Sequence, residues 1–192
     1  MQNKNLILVG GGGHCKSVMD AAESAGWNIL GVLDMPELVG RSVLNTTYVG
    51  TDDDIPAWVD KAEFVITVGQ IKSNTIRKRI AERIEKAGGK FATIVANGAY
   101  VSKYAEIGGG TVVLHKAVVN AGAKVGNNCI INTMSNIEHD VTIGDFCHIS
   151  TGAMVNGGCE IGDDVFVGSG AVVVNGVKIE NGEFVKASSL RK

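Results

Sequence analysis

An aliphatic residue stands at every sixth position from residue 101 to residue 185, and no insertion interrupts the series. Small or β-branched residues follow four positions after these aliphatic residues, from Ala105 to Val177. A hexapeptide repeat of this kind is typical of a parallel β-helix, in which about three hexapeptides close one triangular coil. Residues 101–190 therefore predict about five coils, with the aliphatic side chains inside. The aliphatic series is Val101, Ile107, Val113, Val119, Val125, Ile131, Ile137, Ile143, Ile149, Val155, Ile161, Val167, Val173, Ile179 and Val185.

A Gly, Asn or Ser often follows the inward aliphatic residue directly, as at Gly108, Asn120 and Ser150. These residue types adopt turns and left-handed backbone more readily than most others. We therefore expect a turn between the short strands of each repeat.

Two of the four cysteines, Cys129 and Cys147, are separated by one predicted coil and are expected to stack inside it. Their sulfur atoms could approach disulfide distance, but the repeat requires small inward side chains here, which favours two core thiols. The four cysteines show no zinc spacing such as Cys-x-x-Cys, and no secretory signal precedes them. We therefore expect reduced thiols and a cytoplasmic protein.

Short apolar runs alternate with helix-compatible segments in the first half of the chain. Strands that are nearly all apolar and alternate with helices predict a Rossmann-like parallel sheet covered on both faces. We expect this α/β domain over residues 1–97 and the β-helix domain over residues 98–192. The predicted strands are residues 6–9, 29–33, 64–68 and 92–95, and the predicted helices are residues 14–24 and 73–87, with Ser73 as an N-cap.

Four consecutive glycines, residues 10–13, follow the first predicted strand. Ligands of such sheets bind beyond the carboxyl ends of the strands, where backbone without side chains approaches a phosphate closely. Asp34 follows the second predicted strand, at a position where an acid can bond a ribose hydroxyl. Gly69 follows the third predicted strand. Cys15 stands where the dinucleotide fingerprint needs its third glycine, so a tight turn without a ligand is the alternative.

Composition excludes several classes of protein. The 192 residues contain 26 Gly and 2 Pro, and 45% are apolar, which excludes collagen, a Pro-rich linker and a disordered chain. The net charge of −2 argues against a general nucleic-acid binder. No apolar run approaches the ~20 residues of a membrane span, and we expect no membrane partner.

The sequence His139-Asp140 lies two residues past the inward Ile137. A histidine beside a carboxylate is a candidate general base, because the acid fixes the imidazole tautomer. A surface histidine in a polar turn is the alternative. His115, His139 and His148 lack the His-x4-His spacing of zinc-binding β-helix enzymes, so no catalytic metal is expected.

Together the two halves resemble the bacterial hexapeptide-repeat sugar acetyltransferases, a family that includes UDP-4-amino-sugar N-acetyltransferases and sialic-acid O-acetyltransferases. The resemblance covers nearly the whole chain. It implies a left-handed coil, acetyl-CoA as acyl donor and a homotrimer with active sites between subunits. The segments that carry it are Leu8-Val9-Gly10-Gly11-Gly12-Gly13-His14, Leu33-Asp34, Val68-Gly69 with Ile76-Arg77, Asn132-Thr133 with Ile137-Glu138-His139-Asp140, and Ile143-Gly144-Asp145-Phe146-Cys147-His148-Ile149.

The resemblance also implies roles for individual residues. His139 is the general base, and Asp140 is the acid that raises its basicity. Residues that hold the nucleotide sugar are Gly12, Gly13, His14, Asp34, Met35 and Gly69, with Asn132 beside the reacting sugar. Residues near acetyl-CoA are His148 at the thioester end and, along the CoA groove, Gly157, Ser169 and Ala187.

The function predicted from these observations is acetyl transfer from acetyl-CoA to a nucleotide-linked amino sugar, a UDP-4-amino-4,6-dideoxy sugar, in bacterial glycan synthesis. One alternative is O-acetylation of sialic acid or of another glycan sugar. An alternative from a different class is a non-catalytic nucleotide-sugar-binding scaffold, in which the β-helix serves only for trimerisation. A scaffold has no use for the His139-Asp140 pair, so this pair distinguishes the two classes.

Overall fold

A computed structural model describes residues 4–71 and 73–192 of the chain. These residues form two compact units. The first unit comprises the described residues of Met1–Gly69 together with Ser73–Ala92, and the second comprises those of Gln70–Lys72 together with Thr93–Lys192.

The first unit is built on a five-stranded sheet in the order β3-β4-β2-β1-β5. Strands β4, β2, β1 and β5 run parallel, and β3 pairs antiparallel with β4. The unit also contains two α-helices and two short 3₁₀ helices, at Pro36–Leu38 and Asp52–Ala57. The bounds are β1 Asn5–Val9, α1 Gly13–Ser24, β2 Asn28–Leu33, β3 Ser42–Val43, β4 Thr46–Gly50, β5 Glu63–Ile66 and α2 Thr75–Lys86.

The Rossmann-like parallel core is confirmed, and its edges differ from the prediction. The β3–β4 hairpin was not predicted, because strands rich in Thr and Ser lack an apolar run. Helix α2 begins at Thr75 with Asn74 as its N-cap, so the prediction of Ser73 as N-cap was wrong. The Ser73 hydroxyl still accepts a hydrogen bond from the Thr75 N–H at 3.2 Å.

Of residues 92–95, predicted as the fourth strand of the parallel sheet, only Ala92 belongs to the first unit, where its N–H donates to the Phe64 carbonyl of β5; residues 93–95 belong to the second unit. Ile94–Val95 pairs in parallel with Val112–Val113 of the coil. The physical reason is the repeat itself, because Val95 lies one hexapeptide before Val101 and takes the same inward position.

The second unit consists of two-residue parallel strands arranged as three faces. Face 1 contains β6, β9, β12, β15, β18 and β21; face 2 contains β7, β10, β13, β16, β19 and β22; face 3 contains β8, β11, β14, β17 and β20. The strand bounds are β6 Ile94–Val95, β7 Tyr100–Val101, β8 Glu106–Ile107, β9 Val112–Val113, β10 Val118–Val119, β11 Lys124–Val125, β12 Ile130–Ile131, β13 Asn136–Ile137, β14 Thr142–Ile143, β15 His148–Ile149, β16 Met154–Val155, β17 Glu160–Ile161, β18 Phe166–Val167, β19 Val172–Val173, β20 Lys178–Ile179, β21 Phe184–Val185 and β22 Leu190–Arg191.

The chain turns between faces at corners that we name by the faces they join: corner 1–2, corner 2–3 and corner 3–1. The predicted aliphatic residues fill the interior of the coil together with the small residues of the second series. Positive φ angles recur at every sixth residue from Gly110 to Ser188, at the corners. The predicted turns between the short strands are therefore present, and the left-handed residue stands three positions after the aliphatic residue, as at Lys116 and Asn128.

The glycines that directly follow the aliphatic residues at corner 3–1 provide space for a ladder of Asn and Asp side chains. The Oδ1 atom of Asp163 accepts the N–H of Asp145 at 2.7 Å, and the Oδ1 atom of Asn181 accepts the N–H of Asp163 at 2.9 Å. A Cβ on Gly144 would lie 2.2 Å from the Asp163 Oδ1 atom. The Gly-Asx dipeptides of this corner therefore link each coil to the next.

Replacing Asp163 with alanine is expected to lower the free energy of unfolding by about 1 kcal/mol, because the Asp145 N–H loses its acceptor. Asp163→Asn keeps an acceptor oxygen, as Asn181 does one coil later, and is expected to keep the stability. Urea unfolding followed by circular dichroism measures both variants. Equal loss in the two variants would contradict a role for the acceptor oxygen.

The predicted core thiols also link neighbouring coils. All four cysteines are buried and free. The Cys129 thiol donates to the Gly144 carbonyl at 3.1 Å, and the Cys147 thiol donates to the Gly162 carbonyl at 2.9 Å. The Thr111 hydroxyl makes the equivalent bond to Gly126 at 2.7 Å, so three successive coils place a small hydrogen-bond donor at this position. The hydrogen bond with Cys129, and after it burial, raises the pKa of the Cys147 thiol.

Candidate active site

His139 and Asp140 lie at corner 2–3 and form a hydrogen-bonded pair. The imidazole Nδ1 atom is 2.9 Å from the Asp140 Oδ2 atom. A carboxylate only accepts hydrogen bonds, so Nδ1 carries the proton and the lone pair is on Nε2. The side chains are 63% and 72% exposed, so a substrate can approach Nε2 from solvent. The predicted pair is therefore present in the tautomer that a general base requires.

The same corner of the adjacent coils is nearly free of side chains. The Asp140 N–H donates to the Ala121 carbonyl of the coil before, and the Gly158 N–H donates to the His139 carbonyl from the coil after. Gly157 lies against the imidazole ring, and Gly122 lies against the Asp140 carboxylate. The His139–Asp140 pair is thus flanked by small residues on both sides along the coil axis.

Glu138 precedes the pair and is held by two amides. The Asn136 Nδ2 atom donates to one carboxylate oxygen at 2.9 Å, and the Asn120 Nδ2 atom donates to the other at 3.0 Å. These bonds, first that from Asn136, lower the pKa of the Glu138 carboxyl. The carboxylate therefore stays ionised beside His139, a feature that the sequence analysis did not identify.

His148 lies on β15 of face 1 and is buried. Its Nδ1 atom is 2.6 Å from the Gln70 carbonyl oxygen, which can only accept, so Nδ1 carries the proton. Its Nε2 atom is 3.0 Å from the Asn132 Nδ2 atom. The Asn132 Oδ1 atom accepts the Thr133 N–H at 2.8 Å, which leaves Nδ2 to donate to the imidazole. Both nitrogens of His148 are engaged, so His148 is not arranged as a base.

Two other predicted residues lie at corner 1–2, across face 2 from His139. Ser169 is exposed, and its hydroxyl lies 2.9 Å from the Ser150 hydroxyl. The Ala187 backbone packs over Gly168, where an added Cβ would lie 2.4 Å from the Ala187 nitrogen. Within one chain, the predicted acetyl-CoA residues thus divide among face 1 with His148, corner 1–2 with Ser169 and Ala187, and corner 2–3 with Gly157.

In the first unit, the four glycines after β1 divide into two pairs. A Cβ on Gly10 would lie 2.4 Å from the Val68 Cγ2 atom, and one on Gly11 would lie 2.2 Å from the Tyr48 Cε1 atom. A Cβ on Gly12 or Gly13 would meet no atom within 4 Å. Packing therefore requires the first two glycines, and the second two leave open space at the N-terminus of α1.

This division predicts opposite effects for two substitutions. Gly11→Ala is expected to destabilise the protein by about 1–3 kcal/mol, because the methyl group displaces the Tyr48 ring. Gly12→Ala is expected to keep the melting temperature and to weaken nucleotide binding at the start of α1. Thermal unfolding and calorimetric titration with UDP measure the two effects. Loss of stability in Gly12→Ala, or unchanged stability in Gly11→Ala, would contradict this division.

The other predicted nucleotide residues gather at the same edge of the sheet. The Asp34 carboxylate accepts the Gly11 N–H through Oδ2 and the Met35 N–H through Oδ1, so it ties the second strand end to the glycine loop. A Cβ on Gly69 would lie 3.8 Å from the His14 Cβ atom, which places these two residues side by side.

A cavity of about 470 Å³ opens at this edge. It contains charged residues that the sequence analysis missed because strand β4, which positions some of them, was not predicted. Burial raises the pKa of the Asp52 carboxyl, and Arg83 and Arg79 oppose that shift. Arg83 also forms an ion pair with Asp53. The lining residues are Gly10, Asp34, Met35, Pro36, Thr51, Asp52, Asp53, Val68, Ile76, Arg79, Ile80 and Arg83.

The described residues contain neither a metal-binding cluster nor a helix that could span a membrane. Within residues 4–71 and 73–192, no three His, Cys, Asp or Glu side chains are grouped in a way that could hold a metal ion. In the same part of the chain, no helix combines the length and apolar character of a membrane span.

Family models match both halves of the chain. The model of the PglD N-terminal domain matches residues 5–84, and the model of the bacterial transferase hexapeptide (six repeats) matches residues 122–157 and 140–175. A comparison with curated protein sequences gives no significant match.

Solved structures match nearly the whole chain. The acetyltransferase domain of PglB from Neisseria gonorrhoeae is 30% identical, with a TM-score of 0.88, and the match covers 98% of this chain and 91% of that one. The same domain in complex with acetyl coenzyme A is 31% identical, with a TM-score of 0.89 and coverage of 97% and 89%. A mutant of perosamine N-acetyltransferase from Caulobacter crescentus, in complex with CoA and GDP-perosamine, is 26% identical, with a TM-score of 0.90 and coverage of 97% and 87%. These matches confirm the predicted left-handed β-helix.

Proposed function

Because the chain belongs to the family of hexapeptide-repeat sugar acetyltransferases and is an acyltransferase, we propose that it transfers the acetyl group of acetyl-CoA to the amine of a nucleotide-linked amino sugar. The acceptor we propose is a UDP-4-amino-4,6-dideoxy sugar, made for bacterial glycan synthesis. The observation that carries this proposal is the exposed His139–Asp140 pair, whose geometry leaves the Nε2 lone pair available.

The proposed reaction is a direct transfer. The Nε2 atom of His139 takes a proton from the sugar amine as the nitrogen attacks the thioester carbonyl carbon. The C–N bond forms, the C–S bond of the tetrahedral intermediate breaks, and the CoA thiolate leaves and takes a proton from the imidazolium. The products are the N-acetylated sugar and CoA, and no covalent enzyme intermediate forms.

The oxyanion of the intermediate needs a hydrogen-bond donor. No backbone carbonyl among the described residues accepts the Gly157 N–H, and Gly157 lies directly against the His139 ring. We assign the oxyanion to this N–H.

The first unit supports nucleotide binding by the domain proposed at residues 1–97. The open space over Gly12 and Gly13 at the N-terminus of α1 suits a diphosphate, because the positive end of the helix dipole favours anions there. The neighbouring cavity has room for a nucleoside. His14, Met35 and Gly69 would line the same edge.

The second unit, within the domain proposed at residues 98–192, would bind acetyl-CoA along the coil. Ser169 and Ala187 are exposed and accessible to the cofactor, and His148 would act through Asn132 beside the reacting sugar. Free, buried thiols are compatible with a cytoplasmic location, where acetyl-CoA and nucleotide sugars are made.

Face 2 supports the proposed homotrimer. Its outward row is mainly apolar: Tyr100, Val118, Asn136, Met154, Val172 and Leu190. Tyr100, Met154 and Leu190 are exposed in the single chain. The equivalent row of face 3 is polar: Glu106, Lys124, Thr142, Glu160 and Lys178. Covering face 2 with a second copy would also bring corner 1–2 of one chain towards corner 2–3 of the next, which unites the divided acetyl-CoA residues.

A screen of acceptors tests the proposed function. Purified protein is incubated with acetyl-CoA and a panel of UDP- and GDP-linked amino sugars, sialic acid and neutral sugars, and release of the CoA thiol is measured. Thiol release with an amino-sugar nucleotide, together with an N-acetyl product by mass spectrometry, is the expected result. Release only with sialic acid or a neutral sugar would replace the proposal by O-acetylation, and binding without release would favour a scaffold.

A further inference from the structure

Gly157 packs against the catalytic face of the His139 ring. A Cβ at position 157 would lie 2.6 Å from the His139 Nε2 atom and 2.7 Å from the Cε1 atom. Gly157 does not have a positive φ angle, unlike its neighbour Gly158 at +69°. The backbone at position 157 would therefore accept any L-residue, and the contact with His139 is what requires glycine here.

Gly122 occupies the matching position on the other side of the pair. A Cβ at position 122 would lie 2.4 Å from the Asp140 Oδ1 atom. Gly122 also has a φ of +76°, so left-handed backbone favours glycine there as well, and the effect of the contact is the difference between Gly122→Ala and Gly182→Ala, whose φ is +72°. Gly122 belongs to the coil before Asp140, and Gly157 belongs to the coil after His139, so each member of the pair has a glycine of an adjacent coil against it.

The pair needs such support because it is at the surface. Side chains that are 63% and 72% exposed have few packing contacts to fix their rotamers. The hydrogen bond between Nδ1 and Asp140 fixes the two groups relative to each other, but does not fix them relative to the coil. Backbone that packs directly against the pair, from Gly157 on one side and Gly122 on the other, can fix it relative to the coil.

We propose that Gly157 and Gly122 are positioning residues. Because they have no side chains, their backbone packs directly against the His139 imidazole and the Asp140 carboxylate and fixes the orientation of both groups relative to the coil. This inference rests on the proposed function in taking His139 as the base. It gives Gly157 a steric function in addition to any contact with the acyl donor.

Gly157→Ala is the direct test, because the added methyl group meets a side chain that can swing into solvent. The fold is expected to be unchanged while the ring is displaced. A displacement of about 1 Å at a reacting group can cost about a hundredfold in rate. We expect kcat to fall by about that factor, with KM for acetyl-CoA and for the nucleotide sugar changed by less than about threefold.

Gly182→Ala is the matched control. Gly182 lies at corner 3–1 with a φ of +72° and no atom within 4 Å of an added Cβ. Alanine there carries the cost of left-handed backbone without touching the pair, so the melting temperature is expected to fall while kcat is unchanged. Gly157→Ala should show the opposite pattern.

The position of the ring is measured without activity by ¹⁵N NMR of the imidazole nitrogens, assigned by the signal missing in His139→Ala. The wild type is expected to show a protonated Nδ1 and an unprotonated Nε2, and Gly157→Ala is expected to show mixed tautomers. Gly122→Ala is the second variant and should give the same NMR change through Asp140. Wild-type kcat and an unchanged tautomer in Gly157→Ala would overturn the inference. Full activity in His139→Ala would instead overturn the assignment of the base, and with it the proposed function.

Discussion

Replacing His139 with alanine is expected to lower kcat by about 10²- to 10⁴-fold and to change KM for both substrates little. The sugar amine attacks a thioester only as it loses a proton, and the Nε2 lone pair of His139 is the acceptor that the geometry provides. The side chain is exposed and packs on Gly157, so its removal leaves no cavity in the core. Steady-state kinetics with thiol detection, together with the melting temperature, measure the effect.

Two further variants make this test specific. Asp140→Ala is expected to have a smaller effect than His139→Ala, because the imidazole keeps its lone pair but loses the partner that fixes its tautomer. Lys178→Ala, at an exposed side chain of the polar row of face 3, is the control for loss of a surface side chain and should keep wild-type kcat. Wild-type kcat in His139→Ala would refute the general base.

Introducing an aspartate at Met154 is expected to dissociate the proposed homotrimer and to abolish activity. Met154 lies within the apolar row of face 2, where a copy-to-copy contact would remove the new carboxylate from water. The new carboxylates of the associating copies are like charges, and like charges side by side at an interface cost several kcal/mol. Association should therefore weaken by about a thousandfold. Light scattering coupled to size exclusion measures the mass, and the acceptor assay measures activity on the same sample.

Thr142→Asp on face 3 is the matched control for this experiment. Thr142 is exposed and stands between Lys124 and Glu160 in a polar row, so a carboxylate there stays in water. We expect a trimer of wild-type activity. A wild-type protein that is monomeric at micromolar concentration, or a Met154→Asp variant that stays trimeric and active, would be incompatible with an active site shared between copies through face 2.

The coil could be predicted from the sequence because its strands from β7 to β21 obey one rule. The second residue of each of these strands is Val or Ile, at a spacing of six, and the interior follows from that spacing together with the small residues of the second series. The sheet of the first unit was harder, because pairing partners decide whether a short segment becomes a strand. Residues 46–50 carry Thr and Tyr rather than an apolar run, and residues 92–95 are apolar in either context. The spacing from Val95 to Val101 was the signal that could have assigned the latter.

The candidate site shows the same division. The His139–Asp140 pair is visible as neighbouring residues, whereas Gly157 contacts His139 only because one turn of the coil separates them. The spacing that stacks Cys129 under Cys147 also stacks His139 under Gly157, so this contact was within reach of the repeat. The repeat could not reveal the charged residues of the cavity, Asp52, Arg79 and Arg83. They lie together only because β4 pairs with β2.

Because its four thiols are buried, the native protein is expected not to react with aqueous disulfide reagents. All four cysteines are buried, and Cys129 and Cys147 donate to carbonyl oxygens inside the coil. A colorimetric reagent that detects free CoA should therefore report turnover with no background from the native protein. Any slow additional colour would measure the opening of the coil or of the first unit, which contains Cys15, so one assay reports both catalysis and the rate at which the interior is exposed.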